Sequence, residues 1–258
     1  MNWSPVQYSK FEAERTRPVR DLVAQIANER VGSAADLGCG PGNSTEVLSA
    51  RFPTALITGI DSSAEMLEYA RKRLPSAAFE QTDIVSWSKG EGKLDVILAN
   101  ASLQWVPDHE TLLPALLSRL ERGGSLAVQI PDNLEEPAHR LMQELAHQAP
   151  WAEKLANTRG INAVRHDAEW YYRALFGSTT VNLWHTTYYH RLEGGAEGVV
   201  EWFRGTALRP FLSRLDETEQ ERFLESYRAL LESAYPVLAD GSVLLPFPRL
   251  LFIARRAV

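Results

Sequence analysis

Apolar and polar positions in the first half of the chain follow two alternating rhythms. Short apolar runs occupy residues 33–37, 56–60, 77–81, 95–100 and 125–130, the length and character of buried strands. Between them, apolar residues recur at helical spacing. Pro18 opens one such segment, with Val19, Leu22, Val23, Ile26 and Ala27 on one face. Thr45, Val47, Leu48 and Phe52 supply the next, ended by Pro53. Ser62-Ser63-Ala64-Glu65 has the S-x-x-E form of a capping box ahead of Met66, Leu67, Ala70 and Leu74. A leucine-rich helix over 108–120 is broken by Gly123-Gly124 before the fifth strand. Strands alternating with helices at this spacing predict an α/β fold, a doubly wound, mostly parallel sheet.

Beyond Pro131 the rhythm changes. Residues 134–149, 196–203 and 216–234 read as helices, the last opening on Asp216-Glu217-Thr218-Glu219. Residues 179–191 are rich in β-formers, and 248–255 read as a closing strand. The pattern divides the chain into an N-terminal lid and first helix (1–32), a ligand-binding core (33–131) and a helical cap interleaved with the last two, antiparallel strands (132–258).

Composition narrows the class. Of 258 residues, 45% are hydrophobic and 23% charged, the balance of a soluble enzyme. A net charge of -6 gives no electrostatic footprint for nucleic acid, and no apolar run is long enough to span a bilayer. Residues 1–5 lack the pattern of a signal peptide. Cys39 is the one cysteine, so no internal disulfide forms and a reducing cytoplasm is expected. The six histidines are scattered, and no metal site is expected.

The chemistry concentrates in Ala34-Ala35-Asp36-Leu37-Gly38-Cys39-Gly40-Pro41-Gly42-Asn43, where a strand enters a glycine turn ahead of a helix. The dinucleotide fingerprint G-x-G-x-x-G fails at Asn43, which argues against an NAD-linked dehydrogenase, and no lysine follows Gly42 to make a phosphate loop. Asp61 ends the second strand, where an acid accepts bonds from ribose hydroxyls; the alternative is a helix cap beside Ser62. Asp83, after the third strand, could take an adenine amino group or stand in solvent. Asn100 ends the strongest strand and could orient an amine or satisfy local backbone.

Asp36-Leu37-Gly38-Cys39-Gly40-Pro41-Gly42, with Asp61, Asp83-Ile84 and residues 94–106 in order and spacing, resembles the motifs of class I S-adenosylmethionine-dependent methyltransferases over residues 30–130. The resemblance implies a Rossmann-like sheet of seven strands with an antiparallel last strand, S-adenosylmethionine as cofactor and S-adenosylhomocysteine as product, without a metal. It implies that Gly38, Gly40 and Gly42 pass close to the methionine part, that Asp36 helps hold its amino group, and that Asn100 lies beside the sulfonium. Asp61, with Ser62 beside it, would bind the ribose, and Asp83 with the backbone of Ile84 the adenine. Tyr8, Phe11 and Arg17 fall where such enzymes carry an N-terminal lid. Cys39 reads as a space-filler, since no basic partner is placed near it.

Asn100-Ala101-Ser102-Leu103-Gln104-Trp105 and the closing Pro248-Arg249-Leu250-Leu251-Phe252-Ile253-Ala254 extend the resemblance along the chain, to members that esterify a small polycarboxylate. A carboxylate is already ionised at pH 7 and needs no general base, so no catalytic acid or base is expected; alignment and exclusion of water suffice. His109, the nearest histidine, reads as part of an exposed helix start. After Pro150 the chain has twelve arginines and one lysine, Lys154. Arginine forks match carboxylates, and several stand beside aromatics, in Trp170-Tyr171-Tyr172-Arg173 and Trp202-Phe203-Arg204. Tyr172, Arg173, Arg204 and Arg209 are therefore the candidate acceptor contacts, with Trp105 walling the pocket or packing in the core. The rival readings are a methyltransferase for a phenol, an amine or a fatty acid, and a cofactor-binding module without chemistry.

Overall fold

A computed structural model describes residues 11–155, 158, 166–177 and 179–257. As far as its residues are described, the chain forms two compact units, one of Met1–Pro131, Ala163–Thr186 and Arg249–Val258, the other of Asp132–Asn162 and Thr187–Pro248.

In the first unit the chain runs α1 (Glu12–Ala24), β1 (Ser33–Leu37), α2 (Asn43–Arg51), β2 (Leu56–Asp61), α3 (Ala64–Arg73), β3 (Ala78–Gln81), α4 (Ile84–Ser88), β4 (Leu94–Asn100), a 3-10 turn (Leu103–Trp105), α5 (His109–Ser118) and β5 (Leu120–Pro131). α8 (Ala168–Leu175) belongs to the same unit. The sheet order is β3-β2-β1-β4-β5-β7-β6, with β6 (Thr179–Leu192) and β7 (Val243–Arg256) passing from one unit into the other. β1 to β5 pair parallel, and β7 runs antiparallel to β5.

Strand alternation explains the two helical layers. Val96 and Leu98 of β4 face Val19, Leu22, Val23 and Ile26 of α1, whereas Ile97 and Ala99 face Leu112, Leu113 and Leu116 of α5. The order reverses at β1 and β4, so their carboxyl ends flank a crevice where such sheets bind ligands.

The second unit holds α6 (Pro137–Ala146), α7 (Ala152–Leu155), α9 (Ala196–Arg204), α10 (Arg209–Leu212) and α11 (Glu217–Ala234). Its core is aromatic: Trp151 meets Phe223 edge-on at 5.4 Å, Phe211 lies 6.1 Å from Phe223, and the Tyr227 hydroxyl donates to the Ala138 carbonyl at 2.8 Å. Asp216 and Glu219 close the capping box that opens α11.

Several boundaries differ from the sequence reading. α1 starts six residues before Pro18 and keeps the proline inside it, because two tertiary contacts hold its first turns. Arg73 of α3 makes a forked pair with Glu12, at 2.6 and 2.8 Å, and Asn43 Nδ2 donates to Thr16 Oγ1 at 3.1 Å. Ser63, not Ser62, caps α3, accepting from the Met66 amide. β5 begins ahead of Gly123-Gly124 rather than after it; Gly123 takes φ 75°, and the register against β4 shifts between Leu94 and Val96. The helix α8 has no counterpart in the sequence reading, and Tyr8 lies outside the described residues. Among the described residues no helix is long and apolar enough to cross a membrane.

Candidate active site

The glycine turn follows β1, and its glycines have separate duties. A Cβ on Gly38 would stand 2.4 Å from Ser102 Cβ, so this turn closes against the loop after β4 only without a side chain. A Cβ on Gly40, at φ 55°, would meet nothing within 4 Å, which leaves its backbone open to a ligand. Gly42 is the N-cap of α2. Between them, Cys39 is buried, and its thiol is pushed up by burial and by the Asp36 and Asp61 carboxylates. A thiol held protonated is no nucleophile.

Asp36 lies fully buried beneath the turn. Its Oδ2 accepts from Ser44 Oγ and Thr45 Oγ1, both at 2.7 Å, while its Oδ1 is buried with no partner among the described residues. Burial raises the carboxyl to about 6, with the two hydroxyls pulling the other way. Asn100 at the end of β4 likewise holds its Oδ1 buried without a partner. Two unsatisfied acceptors on neighbouring strands of the crevice fit an ammonium group.

Asp61 accepts from the Gly40 amide at 2.9 Å and the Ser63 amide at 2.8 Å. The acid predicted to meet a ribose thus also ties β2 to the glycine turn. Ser62 is exposed beside it, its carbonyl accepting from Gln81 Nε2. Asp83 is the N-cap of α4: it accepts from the Ser86 amide at 2.8 Å and Ser86 Oγ at 2.6 Å, and these bonds hold its carboxyl below the ordinary range. Ile84 is the first residue of that helix.

The loop after β4 is held from behind. Ala101 takes φ 53°, unusual for an alanine, and its amide donates to the Gln129 carbonyl at 2.9 Å. Against the sequence reading, His109 is not exposed but fully buried. Its Nε2 lies 2.8 Å from the Leu103 carbonyl and its Nδ1 2.8 Å from the Tyr171 hydroxyl. A carbonyl only accepts, so Nε2 carries the proton and Nδ1 accepts from Tyr171. Burial lowers the imidazole pKa and keeps this neutral tautomer. Both ring nitrogens are therefore committed to holding the 3-10 turn. Trp105 at the end of that turn is 37% exposed rather than packed in the core.

The predicted acceptor contacts fall two in each unit. In the first unit, Arg173 pairs with Glu169 one turn away on α8, and Tyr172 stacks on Phe176 with ring centroids 5.5 Å apart. In the second, Arg204 pairs with Glu201 at 2.6 Å, and Arg209 is exposed on α10. The aromatic residues beside Arg204 are buried: Trp202 stacks on His190 at 4.5 Å, and Phe203 lies edge-on to His139 at 4.9 Å, all inside that unit's core.

Ser44, Thr45 and Tyr171 join the site without standing among its sequence candidates. The first two carried a signal, hydroxyls in the first turn after a glycine loop that follows an acid. The Tyr171–His109 bond spans 62 residues and has no local sequence signature.

Residues 34–124 match the family described as a methyltransferase domain. A trans-aconitate 2-methyltransferase of Methylobacterium nodulans is 52% identical over 260 residues, covering 99% of this chain and 98% of that protein. One from Variovorax paradoxus is 46% identical over 257 residues, covering 99% of each. Among solved structures, a phosphoethanolamine N-methyltransferase of Haemonchus contortus in complex with S-adenosyl-L-methionine shares the fold, with a TM-score of 0.55 at 14% identity over 94% of this chain and 53% of that one. With the glycine turn, its acids and this chain-long similarity together, the protein belongs to the trans-aconitate 2-methyltransferase family.

Proposed function

We propose that the protein moves the methyl group of S-adenosylmethionine to a carboxylate of trans-aconitate, giving a monomethyl ester and S-adenosylhomocysteine. The observation that carries the reading is the sheet edge itself. A fully buried carboxylate with one unsatisfied oxygen lies under an open glycine turn, with a second acid on the next strand. These groups fit an ammonium and a diol, the two polar ends of such a cofactor. Asp36 and Asn100 would hold the ammonium, Asp61 the ribose, and Asp83 with the Ile84 backbone the adenine. When bound, the cofactor supplies an electrophilic methyl group on a sulfonium.

What the chain adds is placement. His109 has both nitrogens engaged and is held neutral by burial, so it is no free base at the end of β4. An acceptor already ionised at pH 7 suits that arrangement better than a phenol or an amine, which would ask for a base. The partner is accordingly a small polycarboxylate rather than nucleic acid or a membrane, and the single cysteine suits the cytoplasm. The test is incubation with methyl-labelled cofactor and trans-aconitate. A base-labile labelled ester is expected; no labelled ester would overturn the substrate.

A further inference from the structure

The carboxyl end of β5 holds polar groups that the cofactor does not account for. Gln129 is 1% exposed and Arg249 is 5% exposed, an amide and a guanidinium within the sheet's packing. Gln129 stands opposite Asn100 on one side and Leu251 on the other, so Arg249, two residues along β7, shares its face. Arg249 Nη1 donates to Gln129 Oε1 at 3.2 Å.

That bond fixes the amide. A guanidinium can only donate, so the oxygen must face it and the Nε2 must point elsewhere; a flipped amide would set donors against donors. Gln129 thus presents an oriented N–H donor, and it is buried with no acceptor among the described residues. The Ser102 hydroxyl is a second buried group without a partner. It sits against Gly38, and its neighbour Ala101 is bonded to the Gln129 backbone, so both donors border the same crevice. Buried donors without acceptors are rare in native proteins and mark groups that a ligand satisfies.

Resting on the reading that the acceptor is a polycarboxylate, we propose that Gln129 Nε2, oriented by Arg249 and joined by Ser102 Oγ, donates to a carboxylate of the acceptor that is not itself methylated. A carboxylate that accepts strong hydrogen bonds is a weaker nucleophile, so these donors anchor the acid and leave another carboxylate to react. Gln129 and Ser102 are then specificity-determining contacts, and Arg249 is a positioning residue that also makes the local potential positive.

The test is steady-state kinetics on Gln129→Leu, Gln129→Glu and Ser102→Ala, with cofactor affinity measured by calorimetry. Gln129→Leu should raise the KM for trans-aconitate roughly 10- to 100-fold, the range for losing a hydrogen bond to a charged group, and leave cofactor Kd within about 2-fold. Gln129→Glu should raise KM further, because its carboxylate repels the acceptor. Ser102→Ala removes a hydroxyl that bonds nothing among the described residues, so it should fold even if the Gln129 variants do not, and KM should rise about 3- to 10-fold. Unchanged KM in the folded variants overturns the proposal, and so does a loss that falls on cofactor Kd. Wild-type protein that makes no ester from trans-aconitate would instead overturn the substrate reading.

Discussion

The carboxyl ends of β1 and β2 and those of β4 and β5 lie along one edge of one sheet, yet they present opposite chemistry. The β1–β2 end is rich in acceptors: among the described residues, Asp36 has an unpartnered oxygen and Asp61 accepts from the backbone amides of Gly40 and Ser63. Asn100 at the tip of β4 still belongs to this side. Two residues further along, the character inverts to donors, the Ser102 hydroxyl, the Gln129 amide and the Arg249 guanidinium. An ammonium and a polyanion need such opposite surroundings, and bringing them together at one edge aligns two reactants without a catalytic base. The edge sorts charge, and the comparison can be broken at either end.

The largest effect is expected at Asp61. Asp61→Ala removes the acid proposed to accept from the ribose hydroxyls and should weaken cofactor binding by roughly 100- to 1000-fold, about 3–4 kcal/mol, with the fold retained. Calorimetric titration of S-adenosylhomocysteine checks it; unchanged affinity would remove the ribose role.

Asp36→Asn tests the buried acid through pH. With the folded carboxyl at about 6 and the ordinary value at 3.8, the folded state keeps a proton that the unfolded chain has already lost between those values. Cofactor-free protein should therefore lose stability as pH rises from about 4 to 6, by about 3 kcal/mol from this group. His139 works in reverse: burial lowers it to about 4, the unfolded chain binds the extra proton, and stability rises with pH over about 4 to 6.5. In the wild type the two slopes oppose each other. In Asp36→Asn only the rising slope remains, which urea unfolding at pH 4.5 and pH 7 would show. An unchanged pH profile would place Asp36 in a less buried setting.

The acceptor side of this edge was readable in the sequence and the donor side was not, for a physical reason. Asp36, Gly38, Gly40 and Asp61 lie close together in the chain, at fixed offsets from strand ends, so local pattern places them. Gln129 is one polar residue inside an apolar strand run, and its meaning depends on Arg249, which lies 120 residues away. His109 is buried although its sequence neighbours look like an exposed helix start, because helix-start composition says nothing of what packs over it; the covering residue, Tyr171, sits on a helix with no strong local signal. The arginine-beside-aromatic pattern of the cap has a second origin. Trp202 and Phe203 are core residues whose neighbouring arginine simply faces out into ion pairs.

His109→Phe probes what keeps the donor side in place. It leaves the Leu103 carbonyl and the Tyr171 hydroxyl without their bonds to it, for a loss of about 2 kcal/mol in unfolding free energy. Because burial lowers the wild-type imidazole pKa, its share of stability is present above about pH 6.5 and is lost on acidification. The variant should lack that share at every pH. Since the 3-10 turn adjoins Ser102, acceptor KM should rise while cofactor Kd holds. A variant as stable as wild type would mean that the turn is held by other contacts.

The smallest effect is expected at Arg173, and it sharpens the comparison by being small. Its guanidinium is held by Glu169 on the same exposed helix face, with side chains 76% and 70% exposed. Exposed pairs at this spacing contribute about 0.5 kcal/mol or less. Arg173→Ala should therefore leave unfolding nearly unchanged. If the sheet edge supplies the donors for the acceptor, trans-aconitate KM should also stay within about 2-fold. A tenfold rise in KM with cofactor affinity intact would move the decisive cation from β7 to α8. The opposition of charge would then lie between the sheet and the helices that cover it, not along the edge.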